Sequence, residues 1–348
     1  MHYLPFDRTV NMEFGYWEDN YSQWDIFVKN GITNEREADE FFSFEPPKNV
    51  GGNYWMNPCF DNVQISETAD KYIYINGDGL LAEVPKDGHS TIPHYIKSSI
   101  ETPDDWKKVK KERFSRESRQ PDFSYLDRVC NPDRDYPVGI NVGSMIGKVR
   151  DMLTVEGLAY AIVDYPEMVE DMVESTCVLV EDYLDAVLPR YKFDFASGWE
   201  DICCKNGPLV SMDFFIEAVV PRYKRIGKKL KEHGIDIWYT DCDGDVRPLL
   251  PYFLDCGINC LFPYEVNSCL HPVDLCNEFG KELRIMGGID KMKLIEGKDT
   301  IKKYLESVAP LVERGGYIPF CDHRCPPDVS VENYLYYLEL KEKMFSIK

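Results

Sequence analysis

Asp241-Cys242-Asp243-Gly244-Asp245 sets three carboxylates within five residues. Like charges that close repel, and the cost of holding them together falls if a cation or a hydrogen-bond donor sits among them. The same run also reads as a solvated acidic turn in which Asp245 caps the following helix, and the residues by themselves leave both readings open. A calcium loop is excluded, because its ninth and twelfth ligand positions would fall on Leu249 and Phe253. His323, within Cys321-Asp322-His323-Arg324-Cys325-Pro326-Pro327, adds an imidazole, and Glu265, after Phe262-Pro263-Tyr264, adds another carboxylate. Asp241, Asp243, Glu265 and His323 together have the chemistry of a ligand set for a divalent ion, and zinc accepts both donor types.

Residues so far apart in sequence act together only if the fold gathers them. Short apolar runs end repeatedly in such polar tips: Phe193 to Ala196 before Trp199-Glu200-Asp201, Ile235 to Tyr239 before Asp241, Ile258 to Phe262 before Glu265, Leu283 to Met286 before Asp290, and Tyr317 to Phe320 before His323. Amphipathic, helix-length stretches separate them, among them Tyr165-Pro166 to Leu188, Phe214 to His233, Thr300 to Glu313 and Ser330 to Met344. Alternating strand, tip and helix predict a parallel (β/α)8 barrel, the TIM-barrel architecture, in which every strand end opens on one face. Residues 111–348 are assigned to that barrel, and Val138 to Val142 reads as an earlier strand. Residues 1–110, rich in aromatics and turn signals, are expected to form an N-terminal extension packed on the barrel as part of the same structural domain. A β-hairpin is predicted there from Lys71 to Ile75, Asn76-Gly77 and Leu80 to Val84. Thr102-Pro103-Asp104-Asp105 then opens a helix.

Composition narrows the partners. A formal net charge of -20 repels nucleic acid and anionic membrane surfaces, whereas a neutral or cationic ligand is easier to accept. No apolar run approaches the roughly 20 residues of a membrane span, and Met1 to Val10 lacks the basic and apolar parts of a signal peptide, so a cytoplasmic location is expected. The 12 cysteines, several of them embedded in apolar patterns, read as reduced thiols. Cys256 and Cys321 are expected at opposite ends of the barrel, which excludes a four-cysteine zinc site. Gly143-Ser144-Met145-Ile146-Gly147-Lys148 is one residue short of a phosphate loop, and Val149 stands where Ser or Thr is needed.

Gly287-Gly288-Ile289-Asp290-Lys291, Gly315-Gly316-Tyr317-Ile318-Pro319 with His323, Pro326-Pro327-Asp328-Val329-Ser330, Glu332-Asn333-Tyr334, Glu200-Asp201 and Asn206-Gly207-Pro208 resemble the uroporphyrinogen decarboxylase superfamily, and most of all its cobamide-dependent methyltransferase branch. The resemblance is strong from about Val138 onward and implies a (β/α)8 barrel. The arginine-rich motif with which tetrapyrrole decarboxylases grip substrate carboxylates is missing: Asn11-Met12-Glu13-Phe14-Gly15-Tyr16-Trp17 stands in its region. Thiol-methylating relatives hold zinc with a His-x-Cys pair and a later Cys, and alignment on Gly244 and Pro326 puts Asp241, Asp243 and His323 at those places. The resemblance therefore implies a zinc-dependent methyltransferase that moves a methyl group from a small O- or N-methylated compound to a separate corrinoid protein. Glu200 and Asp201 would orient substrate or protonate the leaving group, and Trp199, Tyr239 and Tyr264 would line the pocket. The alternatives are a uroporphyrinogen decarboxylase-like enzyme and a non-catalytic barrel that binds a corrinoid or another small ligand.

Overall fold

The computed structural model describes residues 1–86 and 93–345. The two expected spans each include residues outside that description, 87–92 in the extension and 346–348 in the barrel. In chain order the strands are β1 (Lys48–Gly51), β2 (Val63–Glu67), β3 (Lys71–Ile75), β4 (Leu80–Pro85), β5 (His94–Ser98), β6 (Val138–Asn141), β7 (Phe195–Trp199), β8 (Cys203–Cys204), β9 (Gly207–Pro208), β10 (Trp238–Asp241), β11 (Cys260–Tyr264), β12 (Arg284–Ile289) and β13 (Tyr317–Cys321). Seven of them form one parallel sheet in the order β1-β6-β7-β10-β11-β12-β13.

The ring is completed by main chain that forms no regular ladder. Met12 is buried inside the barrel with Phe195, Ile237, Tyr239, Cys260, Met286 and Phe320, and Val10 and Phe14 pack on the same cluster. Alternate residues facing one side are the signature of an extended chain, so residues 9–16 run as a strand-like segment in the gap between β13 and β1. Cys325 N donates to Gly15 O at 2.9 Å and Trp17 N donates to Cys325 O at 3.2 Å, with a parallel bridge between Tyr16 and Cys325. On the other flank Glu45 N donates to Asn11 O at 2.7 Å. The architecture is the expected (β/α)8 barrel.

The expected division at residue 110 does not follow the sheet. β1 pairs with β6 from Lys48↔Val138 to Gly51↔Asn141, so the N-terminal portion supplies part of the barrel itself. This went unread because β1 is short and polar, Lys-Asn-Val-Gly, and lacks the apolar run that marks the later strands. The hairpin is present and belongs to a four-stranded antiparallel sheet, β2-β3-β4-β5. At its turn Asn76 Oδ1 accepts from Asp78 N at 3.0 Å and Leu80 N at 2.9 Å. Asp78 Oδ1 accepts from Trp55 Nε1 at 2.9 Å, which ties this sheet to the loop after β1.

The long helix Pro166–Val187 begins with proline in its first turn as read, and Thr102 and Asp105 form the reciprocal capping box of the helix Pro103–Arg113. The stretch read as a single helix from Phe214 is interrupted by a π-helical turn at Phe215–Val219 before Val220–Glu232. Several ladders start two or three residues later than the apolar runs read from sequence: Phe193, Ile235 and Ile258 are buried among helix and sheet side chains ahead of the paired backbone. The paired segments consequently reach right to the polar tips, with Trp199 and Asp241 as terminal strand residues. Among the described residues no helix is long and apolar enough to cross a membrane.

Candidate metal centre at the barrel mouth

Asp241 closes β10, Asp243 follows it across one residue, and Asp201 lies just past the end of β7, the neighbouring strand. One carboxylate oxygen from each of these three residues lies within 4.8 Å of the other two. Asp201 adopts φ +46°, a left-handed conformation that a non-glycine residue takes only when its surroundings impose it. Here Asp201 Oδ1 accepts from Asp243 N at 3.3 Å, and Arg150 Nη1 donates to the Asp201 carbonyl. Gly244 has φ +89°, and a Cβ on it would lie 2.7 Å from the Cys203 carbonyl carbon, so the turn that places Asp243 requires glycine.

Burial, then Asp201 and Asp243, pushes the Asp241 carboxyl up to about 8, and burial followed by Asp243 raises that of Asp201. Three acids packed in this way share protons unless a cation replaces them. Asp243 Oδ1 is buried without a hydrogen-bond partner among the described residues, and Asp243 Oδ2 faces His323 Nε2 at 3.5 Å. An orphaned carboxylate oxygen beside two more carboxylates and an imidazole is a donor set that fits a divalent ion, zinc included. A groove of about 740 Å³ reaches His323 from outside, bordered by Trp17, Tyr21, Glu35 and Arg324.

The match to known proteins covers most of this architecture. Residues 83–344 fit the family model described as uroporphyrinogen decarboxylase (URO-D). The chain belongs to the uroporphyrinogen decarboxylase family. Among solved structures, a methyltransferase from Methanosarcina mazei is similar, with a TM-score of 0.56 at 13% identity over 98% of this chain and 95% of that one, a likeness of fold. No curated protein matches the chain by sequence.

Within this uroporphyrinogen decarboxylase family barrel the other sequence candidates separate. Of the acidic run, Asp245 leaves the cluster, pairing its Oδ2 with Arg247 Nη2 at 2.7 Å and accepting from Arg247 N at 3.2 Å. Glu265 Oε2 accepts from Gly244 N at 3.2 Å, so its place is beneath the Asp243 turn rather than among the three clustered carboxylates. Glu200 is not positioned to touch a substrate. It is fully buried and turned inward, where Oε1 accepts from Met145 N at 2.7 Å and Oε2 from Ile146 N at 2.9 Å, Gly147 N at 2.8 Å and Ser144 Oγ at 3.1 Å. The turn that resembles a phosphate loop in sequence is thus filled by the chain's own carboxylate. Burial pushes Glu200 up to about 7 against the opposing pull of those donors.

Tyr239 and Tyr264 also lie away from the mouth. Tyr239 points into the barrel, its ring stacked 5.6 Å from Phe195 and tilted 4.7 Å from Phe262, and its hydroxyl accepts from Asn49 Nδ2 at 3.2 Å. Tyr264 is buried and its hydroxyl donates to Leu270 O at 2.7 Å, holding the loop after β11. Trp199 alone of the three aromatic candidates remains half-buried at a strand end.

Sequence reasoning missed Asp322, next to His323. It is wholly buried, accepts from Val266 N at 3.2 Å and Lys291 N at 3.1 Å, and lies 3.5 Å from Lys291 Nζ. One carboxylate thereby joins the loops after β11, β12 and β13, fixing the backbone beside Glu265 and His323. Burial pushes it up to about 6. Asp290 caps the helix Lys291–Ile295, accepting from Met292 N at 2.9 Å. The N-terminal segment carries another unread group: Glu13, buried, accepts from Cys321 N at 3.1 Å and Tyr337 Oη at 2.8 Å and pairs with buried Lys341.

Proposed function

We propose that this chain is a methyltransferase that takes a methyl group from a small O- or N-methylated compound and delivers it to a corrinoid carried by a separate protein docked at the barrel mouth. The observation that carries the reading is the convergence of Asp201, Asp241 and Asp243 with His323 around a buried, unpartnered oxygen. Family membership and the likeness to a methyltransferase barrel support it. Asp201, Asp241 and Asp243 would hold a zinc ion, with His323 as a further ligand or as the group that orients Asp243. A metal with mainly oxygen ligands supplies Lewis acidity, which weakens the bond from a methyl carbon to an ether oxygen or amine nitrogen.

The protein's own groups set the geometry. Arg150 and the Asp243 amide fix Asp201 in its left-handed conformation. Glu265 buttresses the Asp243-Gly244 turn, and Asp322 holds the backbone beside His323. Glu200 anchors the β6 turn against the β7 end, which keeps the strand ends in register. The cytoplasm, where a reduced corrinoid partner is stable, is the compartment this reading requires.

The decarboxylase reading is less well served. The segment of residues 11–17, the region in which such enzymes carry substrate-gripping arginines, instead supplies Glu13, already committed to Lys341. A polycarboxylate has little to bind there. The test is zinc analysis combined with methyl-transfer assays on methoxylated aromatics and methylamines, using a reduced corrinoid protein as acceptor. Stoichiometric zinc and transfer, both lost on Asp243→Ala, are expected. Turnover of uroporphyrinogen without metal, or tight cobamide binding without metal or transfer, would overturn the proposal in favour of a decarboxylase or a binding barrel respectively.

A further inference from the structure

Beside the carboxylate cluster, three mouth loops meet around one ammonium. Lys148 follows β6, Trp199 ends β7, and Trp55 lies in the loop after β1. Lys148 Nζ is 4.4 Å from the Trp55 ring centroid and 5.1 Å from that of Trp199. The lysine is half-buried, and burial lowers its pKa. Among the described residues its ammonium has neither a hydrogen-bond acceptor nor a carboxylate within ion-pair distance, unlike those of the other deeply set lysines, Lys291 and Lys341.

The nearest acids are committed elsewhere. Asp78 accepts from Trp55 Nε1 at 2.9 Å and from Asn76 Nδ2 at 3.2 Å, and Asp151 accepts from Arg150 Nη2 at 2.9 Å. Arg150 in turn is occupied by Asp151 and the Asp201 carbonyl. Two indole faces offset part of the desolvation of the ammonium but leave its three N–H donors unused.

We infer that Lys148, framed by Trp55 and Trp199, is an anion subsite that receives the carboxylate of a singly charged substrate. Lys148 follows β6 and Asp201 follows β7, the adjoining strand, so the subsite and the carboxylate cluster share the mouth face of the barrel. Asp78 and Asp151 bias the site against a dianion such as a phosphate monoester, and a single ammonium does not suit a polycarboxylate. The word substrate rests on the methyltransferase reading above; the anion subsite does not.

Binding is measured on the full chain by calorimetry, supported by tryptophan emission, with benzoate, para-methoxybenzoate, the neutral para-methoxybenzamide and phenyl phosphate. The two carboxylates should bind about tenfold more tightly than the amide. Lys148→Met should erase that preference, and Lys148→Arg should retain it. Equal binding of acid and amide, absence of carboxylate binding, tighter binding of phenyl phosphate, or a preference that survives Lys148→Met would overturn the subsite. Because no methyl transfer is read, a protein that binds carboxylates through Lys148 yet transfers no methyl group would sink the activity and leave the subsite standing.

Discussion

His323 Nε2 lies 3.5 Å from Asp243 Oδ2, joining the loop after β13 to the loop after β10 across the barrel mouth. If the pair serves a metal, Asp243→Ala and His323→Ala should each weaken zinc binding by at least the ~100-fold that loss of an outer ligand partner can cost. Competition with a chromophoric chelator measures this. Wild-type zinc affinity in both variants would rule out the site.

Metal-free protein should lose stability as pH rises from about 4 to 8. The Asp241 carboxyl is pushed up to about 8 by burial and by Asp201 and Asp243, and that of Glu200 to about 7 by burial. Across this window the unfolded chain releases protons that the folded chain keeps, so the contribution is complete below the unfolded values and is lost as pH passes the folded ones. Thermal melts of chelator-treated protein from pH 5 to 9 should show a falling Tm, and saturating zinc should flatten the slope. A Tm that climbs over that range without metal contradicts the electrostatics described.

Replacement of Glu200 should act on stability before chemistry. Glu200→Ala leaves three backbone N–H groups and the Ser144 hydroxyl facing an empty space, and orphaned buried donors cost about 1–3 kcal/mol each before any rearrangement or entry of water. A loss of about 3 kcal/mol in urea unfolding is expected. A variant as stable as wild type but inactive would return Glu200 to the reacting groups.

Lys341→Met should cost about 3–5 kcal/mol, because it leaves the Glu13 carboxylate buried without its cation. Lys341→Met combined with Glu13→Leu should recover much of that loss. A double-mutant cycle in denaturant reads the coupling, and strictly additive effects would show that the two groups act independently.

The barrel was legible wherever a strand was buried on both faces, since β7, β10, β11, β12 and β13 each carry an apolar run. β1 escaped notice because it is short and polar, and residues 9–16 because their ring position is held by isolated backbone bonds and side chains such as Glu13. Within the site, Asp241, Asp243 and His323 were found because strand, tip and helix recur and the tips share a face. Asp201 was read as an acid beside substrate, and only the neighbouring order of β7 and β10 puts it with the other two. Glu200 was misread for a related reason: adjacent residues at a strand end point to opposite sides, one toward the mouth and the other into the β6 turn. Lys148 carries no local signal, since its partners come from two distant loops.

Synthesis order gives the ring closure a further meaning. Residues 9–16 leave the ribosome well before Lys341, the cation buried against Glu13, which lies 328 residues further along the chain than its partner. Until then the nascent protein is an open, curved sheet with bare hydrogen-bonding edges where β1 and β13 await the missing stave. Chaperone dependence should therefore persist until the helix Val331–Phe345 is made, and a stalled product lacking that helix should be the species most prone to sticking to its own kind.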